Sequence, residues 1–483
     1  MARARRTGSR AIPSGRWRGS GRPSASPGAS PPCSTASPRT RASASGSSRP
    51  NSPMSKARRR RRPPSRRTMS AFRSEAGRKT GRTEMNRRDF LASTALGAAA
   101  LAAPAIVRAS DVVKIGAVAP KTGPLAGGAL VTQWPNVEMW VKQVNARGGL
   151  TLSDGRKPIE LIEYDDKTNP AEHIKAAQRL ATQDQVDFIV APYATGFNIA
   201  AAPIYARHGY PHIAVSAITD KIEELTGQFP NMFFTLGNTT AFVEGVRDIL
   251  SAMRENGDIG NRIAMVNVAD AFGIELADVA RPIFDGAGFE LVYDQSYPLG
   301  TPDLSPVVKG AKDSAPDAFV AWSYPPDTFG ITEQAIIEDF APKAFYTAVA
   351  TCFPAYRDRF AGQIENNLGA GGVDPDAPAM AEYRRQHLEL TGKEADYWAS
   401  STTYMSLQLL EQSIEAVGAA DREAVIEHLK ANSFDTIMGE IRFENQNSNK
   451  FWSVGQWQGG VFRGVAGSEV DGLADVRLKT GWT

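Results

Sequence analysis

The chain has 483 residues, with 55 Lys and Arg against 52 Asp and Glu, a net charge of +3 and only two cysteines. That near-neutral balance joins two unlike parts: residues 1–84 carry 22 basic residues against two acids, whereas residues 110–483 carry 30 against 49, a net −19. An acidic body without a basic patch excludes a nucleic-acid partner. With Cys33 in one part and Cys352 in the other, an intramolecular disulfide in the body and a cysteine-spaced zinc site are excluded too.

In chain order, residues 1–84 come first, dense in Ser, Pro, Gly and Arg around "ARRRRRPPSRR". Such a segment buries too little apolar surface to offset its ordering entropy, so it is expected to be disordered. It is also expected to lie outside the natural protein, with translation starting at Met85, because residues 85–109 read as an export signal. Arg87 and Arg88 form a twin-arginine pair ahead of Phe90 and Leu91, an Ala- and Leu-rich run extends to Ala105, and small residues end it near Ala109. The run is shorter than the about 20 apolar residues of a spanning helix, and the arrangement is that of a cleaved secretory leader of twin-arginine type. The expected destination is the periplasm.

The 374 residues that follow exceed one ordinary core and imply two lobes. Strand-like "VVKIGAVAP", "IELIEYDD", "VDFIVAPY" and "PHIAVSAI" alternate with helix-like "NVEMWVKQVNARGG", "NPAEHIKAAQRLATQD" and "NIAAAPIYARHG". Asn169 and Pro170 supply an N-cap and a first helical position. After Phe234 the series restarts: helix "TTAFVEGVRDILSAMREN", strand "RIAMVNV", helix "GIELADVARPIFDGAG", strand "ELVYDQSYP", helix "DLSPVVKGAKDSA", strand "DAFVAWSY", helix "TFGITEQAIIEDF", strand "AFYTAV". Strands separated by helices of 10–15 residues form parallel sheets, and two such series predict an α/β protein of two doubly wound lobes. Residues 375–432 read as helical, and "GEIRFE", "FWSVGQW" and "GVFRGVA" as short antiparallel strands. The expected division is lobe one over 110–235 and 351–432, lobe two over 236–350 and 433–470, and a C-terminal tail over 471–483.

Catalytic motifs are missing from the body. There is no G-x-S-x-G elbow, no phosphate loop and no G-x-G-x-x-G after a strand, so neither an enzyme nor a cofactor is expected. His208 and His212 are separated by Gly209 and Pro211 and do not share a helix face, which argues against a metal. Asp165 and Asp166 admit an acid–base pair, but a strand end running into a capped helix is the simpler reading. The remaining chemistry lies at strand-to-helix turns, where open α/β sheets bind ligands. "APYATG", "SAITDK", "VADAFG" and "WSYPPD" combine small or hydroxyl residues with aromatics. Ala194 and Thr195 lead into a helix whose free N–H groups suit a carboxylate, and Phe272, Trp322 and Tyr324 are candidates to clamp the ligand's body.

These turns also carry a resemblance. "VKIGAVAPKTGPLAGG", "VNARGGL", "IELIEYDDKTNPAEHIKAAQRL", "VDFIVAPYATG" and "PHIAVSA", in that order, resemble the periplasmic substrate-binding proteins of branched-chain amino acid ABC transporters over residues 111–465. The resemblance implies a type I periplasmic binding protein fold, two lobes joined by a three-crossing hinge that closes on a small ligand. It implies that Ala194 and Thr195 grip a ligand carboxylate and that Ala217 and Thr219 hold the amino group and carboxylate. It puts Phe272 where the family usually has a Tyr, and Tyr324 at the pocket in lobe two. Family members that bind amino acids carry an acid after the last lobe-two strand, and here that stretch is "TAVATCF", without one. The expected ligand is therefore an amino acid or a related carboxylate or amide, with aromatic acids within range and Trp134 and Trp322 suited to a flat molecule. The expected role is a monomeric receptor delivering this solute to an ABC permease; a ligand-sensing regulator on the same fold and, further off, an α/β enzyme are the alternatives.

Overall fold

A computed structural model of the protein describes residues 111–482. The basic segment and leader expected over 1–109 lie outside the described residues. Among the described residues no helix is long and apolar enough to cross a membrane.

Lobe one is built on the strand Val113–Ala119, which pairs in parallel with Ile159–Asp165 on one side and Phe188–Val190 on the other. His212–Ala214 and Met232–Phe234 form a further parallel pair. Val113–Ala119, Phe188–Val190, His212–Ala214 and Met232–Phe234 are buried along nearly their whole length, as expected where helices cover both faces of a parallel sheet. Asn169 caps the helix Pro170–Arg179 through Ala171 N and Glu172 N. That helix does not run on as α-helix to Asp184: it widens into a π-turn over Leu180–Asp184 and stops at Gln185 with φ of 51°.

Lobe two carries a seven-stranded sheet. Arg262–Val268 lies between Glu290–Tyr297 and Ala318–Trp322; Ala344–Thr347, Leu368–Gly369, Phe451–Gln458 and Val461–Ser468 extend it outward. The first five of these strands are parallel and the last two antiparallel.

The chain passes between the lobes three times, near residues 235–238, 370–377 and 449–450, and the pairing corrects two expected boundaries. Residues 351–369 stay with lobe two, because Leu368 pairs with Tyr346 and Gln456, and Tyr356 Oη is hydrogen-bonded to Thr332 and Asn367. Residues 433–448 belong to lobe one, because the hairpin Ser433–Thr436 and Gly439–Glu444 reaches Phe234 through Asn447–Ser448. The expected C-terminal tail is part of lobe two: Gln456 Nε2 donates to Arg477 O, Lys479 N to Lys343 O, and Trp482 packs edge-on against Phe345.

The crossings are tightly packed. Gly237 has φ of 77°, and a Cβ there would sit 2.9 Å from the ring carbons of Phe451, which follows the third crossing. Gly371, at φ of 97°, would place one 2.2 Å from Trp398 Cβ. Only glycine fits both the backbone and the space at these positions.

Candidate functional site

Each sheet has one place where its strand order reverses, and ligands of open α/β sheets collect there. In lobe one it lies between Val113–Ala119 and Phe188–Val190, in lobe two between Arg262–Val268 and Ala318–Trp322. The turns leaving these strands meet across the lobe boundary. Gly196, in the first turn of the helix Thr195–Arg207, faces Ala271 at the start of Ala271–Gly286, with space for a Cβ 3.6 Å from that of Ala271.

The lobe-one wall is mostly backbone. Ala194 has φ 74° and ψ 149°, a region that is essentially glycine's. Its N–H donates to Ser216 Oγ at 2.9 Å, and Ser216 Oγ donates to Pro192 O. Asn198 Nδ2 donates to Pro192 O and Ala194 O, and Asn198 Oδ1 pairs with His212 Nε2 at 2.9 Å. Burial holds His212 uncharged, its pKa pushed down to about 3. The turn is thus fixed from behind by polar contacts. The first backbone bond of this helix runs from Asn198 N to Ala194 O, so the N–H groups of Thr195, Gly196 and Phe197 have no intrahelical partner. Thr195 Oγ1 accepts from Ile218 N at 3.1 Å, which ties the turn to the cavity described next.

The lobe-two wall is made of rings. Asp270 caps the helix that carries Phe272 through Gly273 N, and Phe272 stacks on Tyr324 at 5.0 Å between centroids. Trp322 is fully buried, donates Nε1 toward Met265 Sδ and meets Tyr346 edge-on at 5.4 Å. Between the lobes lies a tightly closed cavity lined by Ile218 and Trp398 from lobe one, Phe242, Phe272, Leu276, Trp322, Tyr346 and Ala348 from lobe two, and Ala370 on the second crossing. No charged side chain lines it. Carboxylates stand behind these residues, among them Asp396, which accepts from Trp398 N. Asp327 accepts from Tyr324 N, and burial pushes its pKa up to about 6; burial likewise raises that of Asp270. The Tyr324 hydroxyl makes no hydrogen bond of normal geometry, although Asp270 is beside it.

Of the residues singled out from sequence, Phe272 and Trp322 line the cavity, Tyr324 backs Phe272, and Ala194 and Thr195 form the opposing turn. Three are placed otherwise. The Ala217 side chain packs with Ala202, Ala214 and Ile222 in a separate cluster. Thr219 Oγ1 is taken by Glu275, at 2.8 Å and 2.9 Å to its two oxygens. Trp134, read as suited to a flat ligand, donates to Pro120 O and lies under the Lys121 ammonium, and it does not line the cavity. Asp165 and Asp166 are structural: Asp165 accepts from Lys121 N, Thr122 and Lys167 N, and Asp166 pairs with buried His173. Sequence reasoning missed Phe242, Tyr346 and Trp398. Tyr346 had a signal in the two-residue alternation of its strand; the other two arrive from distant segments.

The periplasmic binding protein family profile matches residues 112–460. A Leu/Ile/Val-binding protein homolog of Brucella abortus is 25% identical over 405 residues, spanning 80% of this chain and 98% of that protein. Two solved structures share the fold. The branched-chain amino acid transporter substrate-binding protein of Streptococcus pneumoniae, in complex with isoleucine, has a TM-score of 0.63 at 20% identity, over 74% of this chain and 99% of the other. A solute-binding protein of an ABC transporter from Rhodopseudomonas palustris, in complex with 3,4-dihydroxybenzoic acid, has a TM-score of 0.64 at 19% identity, over 76% and 99%. The chain belongs to the periplasmic binding protein family, with the two-lobed type I fold and leucine-binding-protein-like relatives.

Proposed function

We propose that the protein is an exported receptor that captures a small organic acid between its lobes and hands it to an ABC permease, and that it takes an aromatic carboxylate in preference to an α-amino acid. The observation that carries this reading is the cavity: five aromatic side chains line it and no charged one, and a helix start whose first N–H groups have no intrahelical partner is tied to it through Thr195 and Ile218. A carboxylate is served by those N–H groups and the positive helix end. An ammonium in the same cavity has no acid to meet, and burying it unpaired is costly. Both ligand classes occur on this fold, since one structural relative holds isoleucine and another 3,4-dihydroxybenzoic acid. The twin-arginine leader read over 85–109 supports action in the periplasm.

Binding works without catalysis, by closure. A ligand touching both walls stabilises the closed arrangement over the open one, and the permease reads closure. A thermal-shift screen of the purified protein against amino acids, aromatic acids, short amides and small dicarboxylates tests this, because a ligand specific to the native state raises the melting temperature. Aromatic carboxylates are expected to give the largest shift, to be recovered unchanged, and to bind more weakly to Thr195→Ala and Tyr324→Ala. A shift with leucine, isoleucine or valine and none with aromatic acids overturns the ligand class.

A further inference from the structure

A buried cation lies outside the cleft. Lys479 is 2% exposed, although lysine is almost never fully buried without a partner. Its Nζ donates to Gln363 O at 3.0 Å and sits 3.8 Å from the centre of the Trp482 ring. Among the described residues no carboxylate forms an ion pair with it. One carbonyl and one ring face replace a full hydration shell, which is a poor exchange for a charged ammonium. Burial accordingly pushes its pKa down to about 7, and Glu365, whose carboxylate is taken by Gly459 N, opposes this only in part. Lys343, which gives its backbone O to Lys479 N, sends its own ammonium to Asp258 O.

The segment that carries this lysine is held in a way that lets it peel. Residues 470–482 form no strand or helix. Side-chain amides of lobe two reach their backbone instead: Gln456 bonds both N and O of Arg477, Gln458 Nε2 donates to Asp475 O, and Asn366 Nδ2 donates to Leu478 O. Trp482 anchors the far end, with Nε1 donating to Phe340 O and its ring edge-on to Phe345. Near the other end Gly472 lies against the second crossing, where a Cβ would sit 2.7 Å from Asp374 Oδ2. A segment without its own ladder opens locally at less cost than a core strand.

We propose that residues 470–482 are a strap that clamps the second crossing to lobe two and is loosened when Lys479 takes up a proton. Neutral Lys479 seats between Gln363 and Trp482, whereas the charged ammonium is better served by water. The sign follows from proton linkage. The seated lysine titrates at about 7 and a free one at about 10.4, so between these values the free strap binds more protons than the seated one. Seating therefore strengthens as pH rises above about 7 and is insensitive to pH below it.

Hydrogen exchange of the ligand-free protein, followed by mass spectrometry and corrected for the intrinsic pH dependence of amide exchange, tests this. From about pH 6 to about pH 8.5, protection of residues 470–482 is expected to rise by about tenfold or more. A smaller rise is expected over 370–377 and none over the lobe-one strand Val113–Ala119. Lys479→Met carries no proton, and its strap is expected to be as protected at the lower pH as the wild-type strap is at the higher. Lys479→Arg, charged throughout, is expected to stay loose at both. A wild-type strap with equal protection at the two pH values overturns the proposal without any variant. A Lys479→Met strap that keeps the wild-type response assigns it to another group and overturns the proposal too. A strap that responds while 370–377 does not overturns the clamp on the crossing.

Discussion

The two walls of the cleft are built of different materials. On lobe one the wall is chiefly the backbone of a single helix start, held by the Ser216, Asn198 and His212 contacts behind it, with Trp398 the one ring contributed from that side. On lobe two it is made of side chains, and those same rings are the lobe's core. Trp322 is fully buried, bonded to Met265 and packed on Tyr346, before any ligand arrives. A wall of backbone donors can serve any carboxylate and tolerates side-chain change. A wall of core aromatics sets shape and size, and cannot be altered without touching stability. Ligand choice in this protein is therefore expected to reside in lobe two.

The largest test of that asymmetry is Trp322→Ala. Large-to-small replacement of a fully buried aromatic costs about 3–5 kcal/mol. Urea unfolding should show this loss together with abolished ligand binding. A binding defect with unchanged stability would mean that Trp322 belongs to the ligand alone and that the lobe-two wall is as dispensable to the core as the lobe-one wall.

A smaller effect is expected where the lobes touch each other directly. Glu275, on the lobe-two helix, accepts from Thr219 Oγ1 and from Asp220 N of lobe one and from Thr239 Oγ1 at the start of lobe two. Asp220 in turn accepts from Thr240 N and Oγ1. Hydrogen bonds to a charged acceptor contribute about 1.5–3 kcal/mol each, and part of that is recovered from water in the open form. Glu275→Ala is expected to destabilise closure by about 2 kcal/mol, a roughly 30-fold weaker Kd, with a larger radius of gyration by small-angle X-ray scattering in the absence of ligand. Unchanged Kd and radius would place this contact in the hinge, where it survives opening.

How much of this was legible in the sequence follows the same division. The alternation of strand and helix patterns gave two doubly wound lobes, and strand-end aromatics gave Phe272 and Trp322, because both signals are local. The lobe boundaries were misplaced because the pairing that sets them runs through strands of two residues, Leu368–Gly369 and Asn447–Ser448. Two residues carry no periodicity. Phe242 and Trp398 were not read as site residues: Phe242 lies in the first turn of the helix Thr239–Glu255, Trp398 stands at the start of Ala399–Val417, and the two meet at 5.8 Å only in the folded chain. Thr219 carries the right chemistry at the right turn, yet a carboxylate 56 residues away takes its hydroxyl. Ala217 shows the limit from the other side, since a small residue at a ligand turn can point its Cβ into the core.

The smallest effect isolates the lobe-one wall. At φ 74° and ψ 149° Ala194 holds a conformation that costs a residue with a Cβ about 1–3 kcal/mol. Replacement by glycine relieves this strain but gives the unfolded chain more freedom, which offsets roughly 0.4–1 kcal/mol. The net for Ala194→Gly is a gain of about 1 kcal/mol, or roughly 2 °C in melting temperature for a chain of this size. On the proposed reading, in which this turn offers the N–H groups of Thr195, Gly196 and Phe197 to a ligand carboxylate, a looser turn should weaken carboxylate binding by about two- to threefold while leaving the preference among aromatic acids untouched. A more stable protein with poorer affinity and the same selectivity is what a wall of backbone donors predicts. A change in selectivity would mean that lobe one reads more than the carboxylate, and that ligand choice is shared between the two walls.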